Sequence, residues 1–154
     1  MNINNRGFTL IELLIILVIM GALLAAIVPP FLNFQRTSAL NTETQEILTI
    51  VSEARLSAMS SKEDVQYGVH FEAGKVVLFK GATYSVGASG NKEHLFNTTL
   101  TLSPIVVNGG GADVVFQKVT GATTQNATTT LVVVGNTAAS STIIIYPTGV
   151  ATMN

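Results

Sequence analysis

Cysteine is missing from all 154 residues. That excludes a disulfide framework, a thiolate metal site and cysteine redox chemistry, without identifying a compartment. Histidine is scarce: His70 and His94 lie far apart in sequence and match no ligand spacing such as HExxH, so no metal site is expected. His70, between Val69 and Phe71, reads as an ordinary strand residue. Charged residues make up only 11%, with a net charge of -1. All the Lys and Arg except Arg6, and all the Asp and Glu except Glu12, lie from Phe31 onward. The near balance there creates no field that would draw in a polyanion, so nucleic acid is not an expected partner. No nucleophile, base and orienting group form a recognisable set, so the chain is not expected to be an enzyme. Gly109-Gly110-Gly111 lacks the Lys-Ser/Thr and following helix of a phosphate loop, and no cofactor is expected. Glu63-Asp64 are too few oxygen ligands for calcium and read as solvated acids after a helix. No internal repeat is apparent, and the length suits one domain plus an appendage.

What is present in excess is apolar surface, 47% of residues, and much of it sits in one block. From Phe8 to Val28 the chain reads FTLIELLIILVIMGALLAAIV, with Glu12 its only charge. A helix of that length rises roughly 32 Å, close to the bilayer hydrocarbon thickness of about 30 Å. The rival reading is a secretory signal peptide cut near Ala22 to Ala26, but such peptides have apolar cores of only about 7–15 residues. Orientation by flanking charge is nearly silent, since Arg6 alone precedes the block. Glu12 near one end of an apolar span is costly unless it reaches the interface or a cation, which makes it a functional candidate. Gly7 permits close approach of an extended backbone. Pro29-Pro30 remove backbone donors directly after the block, and a helix kink is expected there.

The segment Arg6-Gly7-Phe8-Thr9-Leu10-Ile11-Glu12-Leu13-Leu14, behind the polar leader MNINNRG, resembles the type III signal of type IV prepilins and pseudopilins. The resemblance implies a prepilin peptidase that cuts between Gly7 and Phe8 and methylates the new amino group of Phe8. It implies partners as well: other pilin subunits, the membrane and an inner-membrane assembly platform. Under it, Glu12 pairs with the Phe8 amino terminus of a neighbouring subunit. Such a pair would set axial stagger, because slipping one step leaves a charge unpaired in low dielectric.

Beyond Phe31 the pattern turns amphipathic, with Leu40, Ile47, Val51, Ala54 and Ala58 on one helical face and Thr42, Glu43, Glu46, Glu53 and Arg55 on the solvated remainder. Arg36 is a candidate partner for a neighbouring subunit. After Ser61 the chain reads as short strands: Val65 to Phe71 and Lys75 to Lys80 as a hairpin with Gly74 supplying a positive φ, then Leu95 to Leu102, Asp113 to Val119, Thr130 to Val134 and Thr142 to Tyr146. Gly81 to Lys92, Asn108 to Ala112 and the Thr-rich Gly121 to Thr129 read as connections. Asn97-Thr98-Thr99 and Asn126-Ala127-Thr128 match the N-glycosylation triplet. The expected fold is α+β: a long N-terminal helix, half membrane-spanning and half amphipathic, packed on a mainly antiparallel sheet. The expected divisions are a cleaved leader at 1–7, a membrane and filament-core helix at 8–28, and a head at 29–154. Glu53 to Met59 and the later Tyr146-Pro147-Thr148-Gly149-Val150 are similar to minor pseudopilins and to FimT-like minor pilins of the GspH kind. The function so implied is a structural subunit of a type IV pilus or pilin-like filament. Its precursor would be a single-pass protein of the cytoplasmic membrane, and its destination an extracellular or periplasmic filament. The alternatives are a minor pseudopilin of a type II secretion system and a DNA-uptake minor pilin, whose electropositive stripe would draw on Lys62, Lys75, Lys80, Lys92 and Lys118.

Overall fold

Helix α1 runs from Leu10 to Met59, 50 residues, in a computed structural model that describes residues 7–154, apart from the side chains of 28–30, 32, 33, 137 and 138. The leader residues 1–6, Arg6 included, lie outside the described residues. The chain divides into two units, one ending at Thr37 and the other spanning Ser38–Asn154. In the first, Leu10–Ile27 has a mean hydropathy of 2.9 and none of it is buried, the only helix among the described residues long and apolar enough to cross a membrane. Even Ile16 shows 45% of its surface, and Phe8 shows 82%. Helix α1 runs on through Pro29 and Pro30, so the prolines do not end it, although each withholds a donor from its ladder.

In the second unit, the part of α1 after Ser38 buries Leu40, Ile47, Val51, Ala54 and Ala58, as its spacing requires. Thr44 completes the stripe; it is fully buried, and its hydroxyl donates to the Leu40 carbonyl at 2.8 Å. A polar residue fits an apolar stripe when the helix itself supplies the acceptor. After a single 3-10 turn at Lys62–Asp64 come eight strands: β1 Tyr67–Glu72, β2 Lys75–Lys80, β3 Lys92–Leu95, β4 Leu100–Val107, β5 Asp113–Phe116, β6 Ala127–Val133, β7 Asn136–Ile145 and β8 Ala151–Met153. They form two four-stranded sheets, ordered β3-β2-β1-β5 and β4-β6-β7-β8, with every pairing antiparallel. The α1 stripe shares one core with both inner faces: Val69, Phe71, Val114 and Phe116 from the first sheet, and Leu102, Leu131, Ile143 and Ile145 from the second.

The first sheet is covered on its other face too. Val77 and Phe79 are buried there, and a Cβ built on Gly68 would meet the Phe79 ring at 2.4 Å, so glycine is what lets that ring lie across β1. Loop 81–91 returns over this face, where Tyr84 stacks on His70 with ring centroids 4.0 Å apart.

Three details of the sequence reading are corrected. The β1–β2 turn needs no positive φ: Gly74 is not in the left-handed region, and the turn is held from outside, with the Ala73 carbonyl accepting from Leu102 N and the Gly74 carbonyl accepting from Phe96 N. The expected strand at Leu95 to Leu102 is two strands of different sheets, separated because the Asn97 side chain accepts from Thr99 N at 3.0 Å and its carbonyl accepts from Leu100 N, making a local turn. The Thr-rich connection ends earlier than expected, since Ala127, Thr128 and Thr129 already pair with β4 and β7.

Candidate functional site

The start of α1 is built from Gly7, Phe8, Thr9 and Glu12. Gly7 and Phe8 precede the first helical residue and are exposed, with nothing within 4 Å of where a Cβ on Gly7 would stand. Thr9 is the N-cap. Its backbone N–H and its hydroxyl donate to Glu12 Oε2 at 3.0 and 2.9 Å, while Glu12 N–H donates to Thr9 Oγ1 at 3.3 Å. This is a reciprocal capping box, which supplies partners to backbone groups that a helix start otherwise leaves unpaired. The sequence reading took Glu12 and missed Thr9, although the Thr-x-x-Glu spacing before an apolar run was there to be read. Among the described residues no group of three or more His, Cys, Asp or Glu stands close enough to hold a metal ion.

Comparison with known proteins bears on this helix first. Residues 2–28 match the family model described as the prokaryotic N-terminal methylation motif. Over 62 residues the chain is 42% identical to the type IV major pilin protein PilA of Myxococcus xanthus (strain DK1622), covering 40% of this chain and 28% of that protein. The chain thus spans under a third of that relative's length. The two crystal forms of the type IV minor pilin FimU of Pseudomonas aeruginosa (strain PAO1) share the fold, with TM-scores of 0.56 and 0.59 at 19% and 18% identity. They cover 75% and 79% of this chain, and 92% of FimU in each case. The chain is type IV pilin-like.

In the head of this pilin-like chain the charges face one another. Lys75 bridges Glu93 at 3.1 Å and Glu72 at 3.6 Å, Lys118 meets Asp64 at 2.7 Å, Lys80 meets Glu63, and Lys92 meets Glu53. His94 on β3 contacts Glu43 on α1, and His70 Nδ1 lies 2.5 Å from Asp113 Oδ1 with Glu72 on its other side at 3.4 Å. The supposed solvated face of α1 is therefore partly engaged: Glu43 and Glu53 tie α1 to β3, while Thr42 and Glu46 remain exposed. Hydrogen bonding to Lys80 holds the Glu63 carboxyl below its ordinary 4.5, and Lys118 does the same for Asp64 below 3.8; Lys80 and Lys75 are raised in return by Glu63 and by Glu93. Arg55 is half-buried and has no such partner among the described residues; its Nε is enclosed without a hydrogen bond. Its stem lies against Gly121 and Gly149, where added Cβ atoms would come within 3.0 Å of Arg55 Cγ and 3.1 Å of its Cδ.

Proposed function

We propose that the chain is a structural subunit of a type IV pilus or related filament, cut by prepilin peptidase between Gly7 and Phe8 and assembled through α1. The observation that carries this reading is the wholly exposed apolar span Leu10–Ile27, set directly behind Gly7 and Phe8 in a segment that matches the methylation motif. Exposed apolar surface of that extent requires a bilayer or the same helices of other subunits. The precursor would sit in the cytoplasmic membrane with the assembly platform as its partner, and the subunit would then enter an extracellular or periplasmic filament. Pro29 and Pro30 mark the place where α1 would bend during that transfer. A DNA-uptake role has less support, since four of the five lysines that would form its stripe are already paired with acids. Mass analysis of the protein made in cells tests the reading. A mature chain starting at N-methylated Phe8 is expected; a start after Ala25 or Ala26 would show a secreted product and end the filament reading.

A further inference from the structure

A polar recess of the head lies between the end of α1, the 3-10 turn, β2 and the close of loop 81–91. It encloses about 430 Å³, within the range of about 300–1,000 Å³ common for small-molecule sites. Tyr67 and Leu78 close its base, both nearly fully buried, with the Tyr67 hydroxyl toward Glu63. Around the rim stand Ser57, Ser89 and Asn91 as neutral hydrogen-bonding groups, with the pairs Lys80–Glu63 and Lys92–Glu53. Asn91 is fixed: its side-chain N–H donates to the Ser85 carbonyl at 2.9 Å and its backbone N–H to the Ala88 carbonyl at 3.0 Å, which leaves its amide oxygen as an acceptor. Lys62, also on the rim, is the one lysine among the described residues with no ion pair. The backbone of the 3-10 turn beside the recess is strained, since Glu63 on the rim and its neighbours Ser61 and Asp64 have φ of 56, 48 and 57° without being glycine. Such conformations are costly and concentrate where a chain positions groups for a ligand.

We propose that this recess binds a small acidic sugar, a pyranose with a single carboxylate. Three rim ammonium groups, Lys62, Lys80 and Lys92, against two carboxylates, Glu53 and Glu63, leave a net charge of +1, which suits one negative charge. The two rim carboxylates disfavour a polyanion but accept hydrogen bonds from sugar hydroxyls, and Ser57, Ser89 and the Asn91 amide oxygen supply neutral partners for the remaining hydroxyls of a ring. The reading is independent of filament assembly.

The test uses the full chain in a detergent without a sugar headgroup, titrated calorimetrically with galacturonate, galactose and acetate. Galacturonate is expected to bind at least tenfold more tightly than either galactose or acetate. Lys62→Gln should weaken galacturonate about tenfold, while Lys75→Gln, outside the recess, should leave it unchanged. The proposal is overturned if galacturonate does not bind, if acetate or galactose binds as well, or if Lys62→Gln binds like the parent. A Lys62→Gln chain that binds galacturonate normally but no longer assembles would show instead that the recess is a contact between subunits.

Discussion

Glu12 carries two roles that a single substitution can separate. In the described chain its carboxylate closes the capping box with Thr9; in the proposed filament it pairs with the Phe8 amino terminus of a neighbour. Gln serves in a capping box but has no charge. Glu12→Gln is therefore expected to be processed and inserted normally yet to lose most filaments, and Glu12→Leu to lose them as well, since removing an acid only eases insertion. Electron microscopy with a membrane-fraction immunoblot reads both; normal filament numbers with Glu12→Gln would reduce Glu12 to a cap. A second residue-scale outcome concerns Thr129, buried on β6 with a hydroxyl that finds no partner. Thr129→Val keeps the shape and removes the unmet group, so it should stabilise the head by about 1 kcal/mol, measured as a shifted urea midpoint with unchanged slope.

The elements were legible in proportion to how local their causes are. The buried stripe of α1 follows from three- and four-residue spacing, and the β1–β2 hairpin from two apolar runs around Ala73-Gly74. Thr44 escaped because its acceptor is a carbonyl one helical turn back, and β8 because three residues carry no periodicity of their own. The boundary between β3 and β4 depends on the turn made by Asn97, whose polar triplet Asn97-Thr98-Thr99 separates Leu95-Phe96 from Leu100. Tyr146 to Val150, noticed first as a resemblance, is the β7–β8 turn, in which Gly149 N–H donates to the Tyr146 carbonyl and Tyr146 N–H to the Val150 carbonyl. Gly149 has a φ of +77°, and a Cβ there would stand 1.8 Å from the Gly121 carbonyl oxygen. Gly149→Ala should therefore cost the head more than about 2 kcal/mol and lower its melting temperature. The 3-10 turn has its own signature. Glu63 and Asp64 are held below their ordinary values, so the help they give is present above those values and lost as pH falls through the lowered ones. Lys80 is raised, so its help is present below 10.5 and lost at higher pH. Amide protection at residues 61–64, taken relative to the intrinsic exchange rate at each pH, should stay flat through neutral pH and fall below about pH 4, the more so in low salt, where these exposed pairs are least screened.

At the scale of the molecule, the described head keeps its core within Ser38–Asn154, with α1, both sheets and loop 81–91 burying one another. A fragment of those residues is expected to be soluble, monomeric and folded by gel filtration and circular dichroism; aggregation would mean that the core needs a partner strand. The two sheets are also threaded through each other in time. β5 completes the first sheet beside β1, yet β4, made before it, belongs to the second and waits for β6. Neither sheet closes before the chain has begun the other, and the β1–β5 pairing spans the three intervening strands β2, β3 and β4. High contact order of this kind slows folding and joins it into one event. A head emerging on the far side of a membrane would thus stay open until β6 and β7 have crossed, and a chain ending after Phe116 would present β4 as a bare edge, open to misassembly with its neighbours.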